Sequence, residues 1–347
     1  MVALQCSEAV ISAWLRSLTR ITTVLFPQPG PHGGFHFHPV TQDSAIGFGD
    51  YRPSQSPPGK LFTPSDEVLL RFEGRERGFV AHPVFDEQQR ILAGVRPCDL
   101  RAIHLMDTVQ ADTPADPHYL ARREQTTIIA WACATPCSER CFCDAVGALD
   151  SRQGADIMLS PLPDEQVLAE ALTESGEALL ASLKAPKCDD PAAARAEHEA
   201  ARPKPFGRQL KADVPAIQSA MQDAWRSAVW QRHSEACLAC GTCNLVCPTC
   251  YCFDTYDELD MQAPGSGQRC RTWDGCMLRE FASVAGGHEF RGTIAARHRH
   301  RIKRKFEYLP ERYEGAFCVG CGRCGTQCTV DIDIFDMVNE VIEEVRA

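Results

Sequence analysis

Cys237-Leu-Ala-Cys240-Gly-Thr-Cys243-Asn-Leu-Val-Cys247-Pro248 and, further on, Cys318-Val-Gly-Cys321-Gly-Arg-Cys324-Gly-Thr-Gln-Cys328 share one spacing, C-x2-C-x2-C-x3-C. Thiolates at that spacing hold four-iron cubes. Three cysteines two apart wrap a tight loop around one face of a cube. The fourth is carried away along a helix towards a neighbouring cube. The expected ligand sets are therefore crossed: Cys237, Cys240, Cys243 and Cys328 for one 4Fe-4S cluster, and Cys318, Cys321, Cys324 and Cys247 for the other. Gly241, Gly320, Gly322 and Gly325 allow close backbone approach and amide donors to sulfur. Zinc competes as a reading, but structural zinc sites use pairs of cysteines, and here a four-cysteine run occurs twice. Cys328 is followed by Thr329 where Cys247 is followed by Pro248; proline assists the turn without being a ligand.

Around the runs the pattern is helical. A helix expected over 214–232 delivers the chain into the first run, and one over 334–345 closes the protein. No strand is expected in the last 120 residues. Residues 206–347 thus read as a mainly α-helical, ferredoxin-like domain with an elaborate insertion between its two runs. Upstream, β-branched stretches at 21–26, 67–72, 90–95, 126–132 and 156–162 read as strands. Stretches 100–109 and 165–184 have helical spacing. That alternation gives residues 1–205 an α+β or α/β fold with some parallel pairing. Residues 183–205, rich in Ala, Lys, Pro, Asp and Glu without an apolar face, read as the interdomain linker.

Two of those strands end on cysteine. The stretch 90–95 runs into Arg96-Pro97-Cys98-Asp99, and 126–132 into Cys133, followed by Cys137, Cys141 and Cys143. Parallel neighbours would place these ends on one rim, where α/β sheets bind ligands. A thiolate at Cys98 would sit at a helix N-terminus, whose dipole favours negative charge. The expectation is a third 4Fe-4S cluster on Cys98, Cys133, Cys141 and Cys143, with Cys137 as substitute; zinc or unligated thiols are the competing readings.

Composition narrows the function. The chain holds 19 cysteines in 347 residues. An odd count cannot pair fully, and clustered thiols in a reducing compartment mean metal more often than disulfide. A net charge of −10 lacks the basic footprint of a nucleic-acid binder. Within that acidity, His298-Arg-His-Arg-Ile-Lys-Arg-Lys305 is a basic run; it reads as a solvated helix face, or as a patch complementing anionic clusters or an acidic partner. No apolar window is long enough to span a bilayer. Residues 1–20 read as an amphipathic helix, not a secretory signal, so a cytoplasmic location is expected. There is no G-x-G-x-x-G, P-loop, nucleophile elbow or zinc-protease helix, and so no expected substrate-converting site. Cys250, Cys252, Cys270 and Cys276 could build a further metal site or pack beside the clusters. Cys6 and Cys188 look incidental. The stretch from His32 through His36 to His38 reads as a mobile loop.

Beyond the cysteine runs, Gly94-Val-Arg-Pro-Cys98-Asp-Leu-Arg-Ala-Ile103, Asp116-Pro-His-Tyr119 with Arg122-Arg123, Cys141-Phe-Cys143, Cys247-Pro-Thr-Cys-Tyr-Cys252-Phe-Asp254, Trp273-Asp-Gly-Cys276, Ala285-Gly-Gly-His288 with Phe290-Arg291, and Cys318-Val-Gly-Cys-Gly-Arg-Cys324 are distinctive. In these stretches the chain resembles the β subunits of cytoplasmic sulfhydrogenases, the nickel–iron hydrogenases coupled to NAD(P). It is similar also to the A subunits of anaerobic sulfite reductases. The resemblance implies an electron-transfer subunit relaying single electrons between a flavin- and NAD(P)-binding subunit and a catalytic subunit, of hydrogenase or, alternatively, sulfite reductase type. It also supports a role for the Cys98 and Cys141–Cys143 stretches. A reading of another class is a scaffold subunit whose clusters hold the fold and carry no current.

Overall fold

The computed structural model describes residues 2–30, 33–49, 51–75 and 78–346. In chain order the elements are β1 (Ala3–Ser7), α1 (Glu8–Leu18), β2 (Thr23–Pro29), β3 (Phe35–Pro39), β4 (Glu67–Arg75), β5 (Gly78–Pro83), β6 (Arg90–Val95), α2 (Pro97–Ala111), α3 (Pro117–Glu124) and β7 (Thr126–Trp131). They continue with β8 (Ile157–Pro161), β9 (Gln166–Ala171), α4 (Glu174–Leu180), α5 (Pro191–Ala200), α6 (Val214–Asp223), α7 (Val229–Ser234) and α8 (Thr242–Leu245). The last are β10 (Phe253–Leu259), β11 (Gly267–Trp273), α9 (Ile294–Lys303), α10 (Arg323–Thr326) and α11 (Ile334–Arg346).

A seven-stranded sheet, ordered β1-β9-β8-β7-β6-β2-β3, forms the frame. Its middle strands β2, β6, β7 and β8 are parallel, and antiparallel strands flank them on both sides. The α/β character expected upstream is what forms. Both faces of the middle strands are covered, so their residues alternate between two cores. Ile91, Ala93, Ile129 and Trp131 join Ile11, Trp14 and Leu15 of α1 on one face. Leu92, Ile128 and Ala130 join Leu100 and Ile103 of α2 on the other. That second core runs on without a break through Met221 of α6, Trp230 of α7, Ile302 of α9 and Met337, Val338 and Val341 of α11.

Several expectations fail for identifiable reasons. Two strands, β10 and β11, lie in the stretch where none was expected. Their sequences, FDTYDEL and GQRCRTW, lack an apolar face, and they form because β11 pairs with β4 from far upstream. Together they make a second, antiparallel sheet, β10-β11-β4-β5. The helix expected over 165–184 is strand β9 followed by α4, divided where the Thr173 hydroxyl caps the Gly176 amide at 3.0 Å. The linker expected over 183–205 contains α5, capped by Asp190 on Ala193. Its buried His198 donates to the Pro161 carbonyl at 2.8 Å. The N-terminal helix is preceded by strand β1, and the helix expected over 214–232 is broken between α6 and α7. His36 and His38 lie on β3 rather than in a loop; His32 is outside the described residues. Among the described residues no helix is long and apolar enough to cross a membrane.

Buried ionic contacts tie the second sheet to α3. Glu67 on β4 accepts from Arg122 of α3 and from Arg271 Nε of β11, the latter at 2.9 Å, and all three side chains are buried. Arg271 also pairs with Asp116, whose carboxylate caps α3 by accepting from the amides of His118 and Tyr119. β11 is thereby fastened to both β4 and α3.

Candidate metal centres

The two cysteine runs adopt matching backbones. Each leads into a short helix, α8 and α10, through a left-handed glycine: Gly241 at φ 76° and Gly322 at φ 75°. Two residues earlier, Ala239 and Gly320 are also left-handed, at φ 51° and 63°. Glycine at 320 has a steric cause as well. A Cβ there would come within 2.5 Å of the Phe142 carbonyl group.

Cys237, Cys240 and Cys243 of the first run and Cys328 of the second line one cavity, together with Met277, His298 and Arg301. Amides point at its sulfurs. Ala239 donates to Cys237 Sγ at 3.4 Å, and Ile332 donates to Cys328 Sγ at 3.3 Å. Cys240 is exposed, and Cys237, Cys243 and Cys328 are half-buried. Burial pushes the Cys243 thiol up to about 11.

Cys247 is carried the other way, to the second run. The Thr249 hydroxyl donates to the carbonyl of Phe317, the residue before Cys318, at 2.6 Å and lies 3.4 Å from Cys247 Sγ. The Cys247 thiolate falls within the electrostatic reach of both Cys318 and Cys321. Lys305, buried, places its ammonium 3.2 Å from Cys247 Sγ. A hydrogen bond from the Cys250 thiol, and then Lys305's charge, hold Cys247 well below the ordinary thiol value. Burial pushes Cys321 up to about 12.

The basic run is the main surprise. Of its eight residues, His298, Arg301, Ile302, Lys303 and Lys305 are buried, as is the adjoining Arg297. The solvated-face reading is therefore wrong for this side of α9. Burying cations is costly unless anions meet them. Lys303 has Glu307, and Arg297 has Glu289. Arg301 faces Cys243, Cys324 and Cys247, and among the described residues its Nε and Nη2 atoms have no hydrogen-bond partner. Both ring nitrogens of His298 are likewise buried and unpartnered. Burial, then the Arg301 charge beside it, pushes His298 down to about 3. A four-iron cube on four thiolates carries net negative charge, so unpaired donors and buried cations around these thiols fit that group. The alternative reading of this run, a patch complementing anionic clusters, agrees with the burial; which residues are buried depends on anions supplied by another part of the chain.

The third group of thiols gathers at the C-terminal ends of β6 and β7, which pair in parallel. Cys98 sits in the first turn of α2, and Cys133 lies two residues past the end of β7. Cys137, Cys141 and Cys143 come from the next loop, and each thiol shifts the acidity of its neighbour. Cys98, Cys133, Cys141 and Cys143 are all buried; Cys137 is less so. Burial raises the Cys133 thiol to about 11 although the nearby Arg96 charge opposes it. Arg96 is buried, stacked 4.0 Å over the Tyr51 ring, with Nε unpartnered. Gly207 closes the site from below: a Cβ there would lie 2.6 Å from the Cys141 carbonyl oxygen. Cys137 acts electrostatically on Cys98, Cys133 and Cys141, so it stays a candidate beside the other four.

This group abuts the second run. The Phe142 amide donates to the Gly320 carbonyl at 2.7 Å. Arg323, just past Cys321, forms a buried two-pronged pair with Asp99, just past Cys98, at 2.6 and 2.7 Å. An open cleft of about 620 Å³ reaches both Cys137 and Cys321. The remaining thiols divide. Asn244 Nδ2 lies 3.6 Å from Cys250 Sγ and 3.4 Å from Cys276 Sγ, beside the second run's site. Cys252 faces Lys60 and Arg304, whereas Cys270 is buried on β11, away from that group. Cys6 lies on β1, and Cys188 is 3.8 Å from Gln5 beside it. Among the described residues no three or more His, Cys, Asp or Glu side chains converge as they would on a single metal ion.

Comparison with known proteins places the chain in a family. The 4Fe-4S dicluster domain family matches residues 236–332, which span both runs. The β subunit of sulfhydrogenase 2 from Pyrococcus furiosus is 31% identical over 296 residues, covering 85% of each chain. No solved structure matches. The chain therefore belongs to the sulfhydrogenase β-subunit family of 4Fe-4S dicluster proteins.

Proposed function

We propose that this protein is the iron–sulfur relay subunit of a cytoplasmic, multisubunit oxidoreductase. It passes single electrons between a flavin- and NAD(P)-binding subunit and a hydrogenase-type catalytic subunit. Its ligand sets are Cys237, Cys240, Cys243 and Cys328; Cys318, Cys321, Cys324 and Cys247; and, for a third cube, Cys98, Cys133, Cys141 and Cys143, with Cys137 in reserve. Bound cubes supply one-electron carriers. The chain's own residues do the rest: Ala239 and Ile332 amides bond ligand sulfurs, Arg301 and Lys305 meet buried negative charge, and burial shields Cys247 from water. The observation that carries the reading is the succession of the three thiol groups. The first and second exchange their fourth cysteines, and the second and third touch through Gly320 and Phe142.

The division between residues 1–205 and 206–347 is proposed as one of role, with the dicluster part in the second segment and the third site in the first. A sulfite-reductase-type partner is the alternative for the catalytic end, and it shares every cluster argument. The scaffold reading is disfavoured by the aligned sites, because clusters that only brace a fold need no mutual contact.

Iron and acid-labile sulfide per chain, after anaerobic purification, test the reading. Three cubes give about twelve irons and two give about eight. Cys98→Ser should remove about four irons; an unchanged count would strike out the third site. Clusters that cannot be reversibly reduced would leave only the scaffold.

A further inference from the structure

We infer that Lys305 makes the cube on Cys318, Cys321, Cys324 and Cys247 the higher-potential member of the C-terminal pair, so that an electron shared between the two rests there. This inference rests on the proposed function, since it needs both cubes. Lys305 is 4% exposed, and its ammonium lies 3.2 Å from Cys247 Sγ, 2.9 Å from Thr249 Oγ1 and 3.7 Å from Cys250 Sγ. Among the described residues it has no carboxylate partner, whereas its neighbour Lys303 is paired with Glu307. The charge is held in place. Lys305 lies in a π-type turn, Arg304–Tyr308, that continues α9. Its carbonyl accepts from the Phe317 amide at 2.8 Å, next to Cys318. Thr249 donates its own proton to Phe317, which leaves its oxygen lone pairs for Lys305.

Reduction adds one negative charge to a cube. A buried cation and an N–H···S bond stabilise the reduced form more than the oxidised one, and low dielectric enlarges the effect. Lys60 adds to it, buried and bonded to the Cys250 carbonyl at 2.6 Å. Among the described residues the first cube's cavity is lined by no lysine. Arg301 lines the first cube's cavity and is also within reach of Cys324 and Cys247 of the second, so its charge acts on both cubes. Near Cys321, the Asp99 carboxylate is neutralised by Arg323.

The test is an EPR-monitored redox titration of the anaerobically purified protein, with iron per chain measured on the same samples. In Lys305→Met one midpoint should fall by at least the about 59 mV that equals a tenfold change in a one-electron equilibrium, while the other stays put. Lys305→Arg should restore it. A Cys240→Ser background, in which the first cube's signal is lost, assigns the shifted signal to the second. Full iron with both midpoints unmoved, or both moved equally, overturns the inference. If Lys305→Met loses iron, Lys305→Gln keeps an N–H donor and removes only the charge, and the same two outcomes decide. Wild-type protein lacking iron would instead end the proposed function itself.

Discussion

Glu67 shows how a single side chain can fasten two strands of one sheet to a helix. It neutralises two buried guanidinium groups, Arg122 and Arg271, from different elements. Removing one partner of a buried pair strands the other and costs about 3–5 kcal/mol. Glu67→Gln should therefore lower stability in urea by roughly that amount, with iron content per folded chain unchanged. Asp116 gives a pH signature. Burial raises its carboxyl, but the Arg271 hydrogen bond and charge outweigh this and hold it below the ordinary value. A depressed folded pKa adds stability above the unfolded value of about 3.9, and that stability is lost as pH falls through the folded value. Between pH 5 and pH 3 the wild type should lose more stability than Asp116→Asn; parallel losses would refute the assignment. At this scale the cysteines were legible because spacing is a one-dimensional property. The orphaned His298 and Arg301 were not, because burial of a cation depends on which anions lie across the fold.

Among elements, α9 combines an ordinary start with an unusual face. The Thr293 hydroxyl caps the Ala296 amide at 3.1 Å. Thr293→Ala should cost about 1 kcal/mol, visible in the thermal midpoint. Gly320 is the joint between the second run and the Cys141–Cys143 loop. Gly320→Ala drives a methyl into the Phe142 backbone, so the loop must move. The expected result is altered EPR and iron loss confined to the third group, with the first run's cluster retained. Helices and strands with a strong period, such as β6, β7, α2 and α11, could be read in advance. β10 and β11 could not. An exposed, polar strand becomes regular only through its partner, and β4 lies nearly two hundred residues upstream.

For the whole molecule, continuity of the core bears on how it unfolds. One apolar cluster joins the α2 side of the large sheet to α6, α9 and α11, and the second sheet draws strands from both halves. Urea unfolding followed by tryptophan fluorescence and by cluster absorbance should give coincident transitions; separated ones would mean that residues 1–205 and 206–347 melt independently. The α/β frame was legible from alternating strands and helices. The joining of the halves was not, since the runs of residues that connect them carry no local period.

Cys240 is the one cysteine classed as exposed among the described residues. Dioxygen and peroxide attack where sulfur and iron can be reached, so in the proposed arrangement oxidative damage should begin at the rim of the first cube and spare the enclosed ones for longer. Air-exposed preparations would then be mixtures of intact chains and chains lacking about four irons, still coloured and still folded. Such a population would look healthy by absorbance while its current had been cut at one end of the wire.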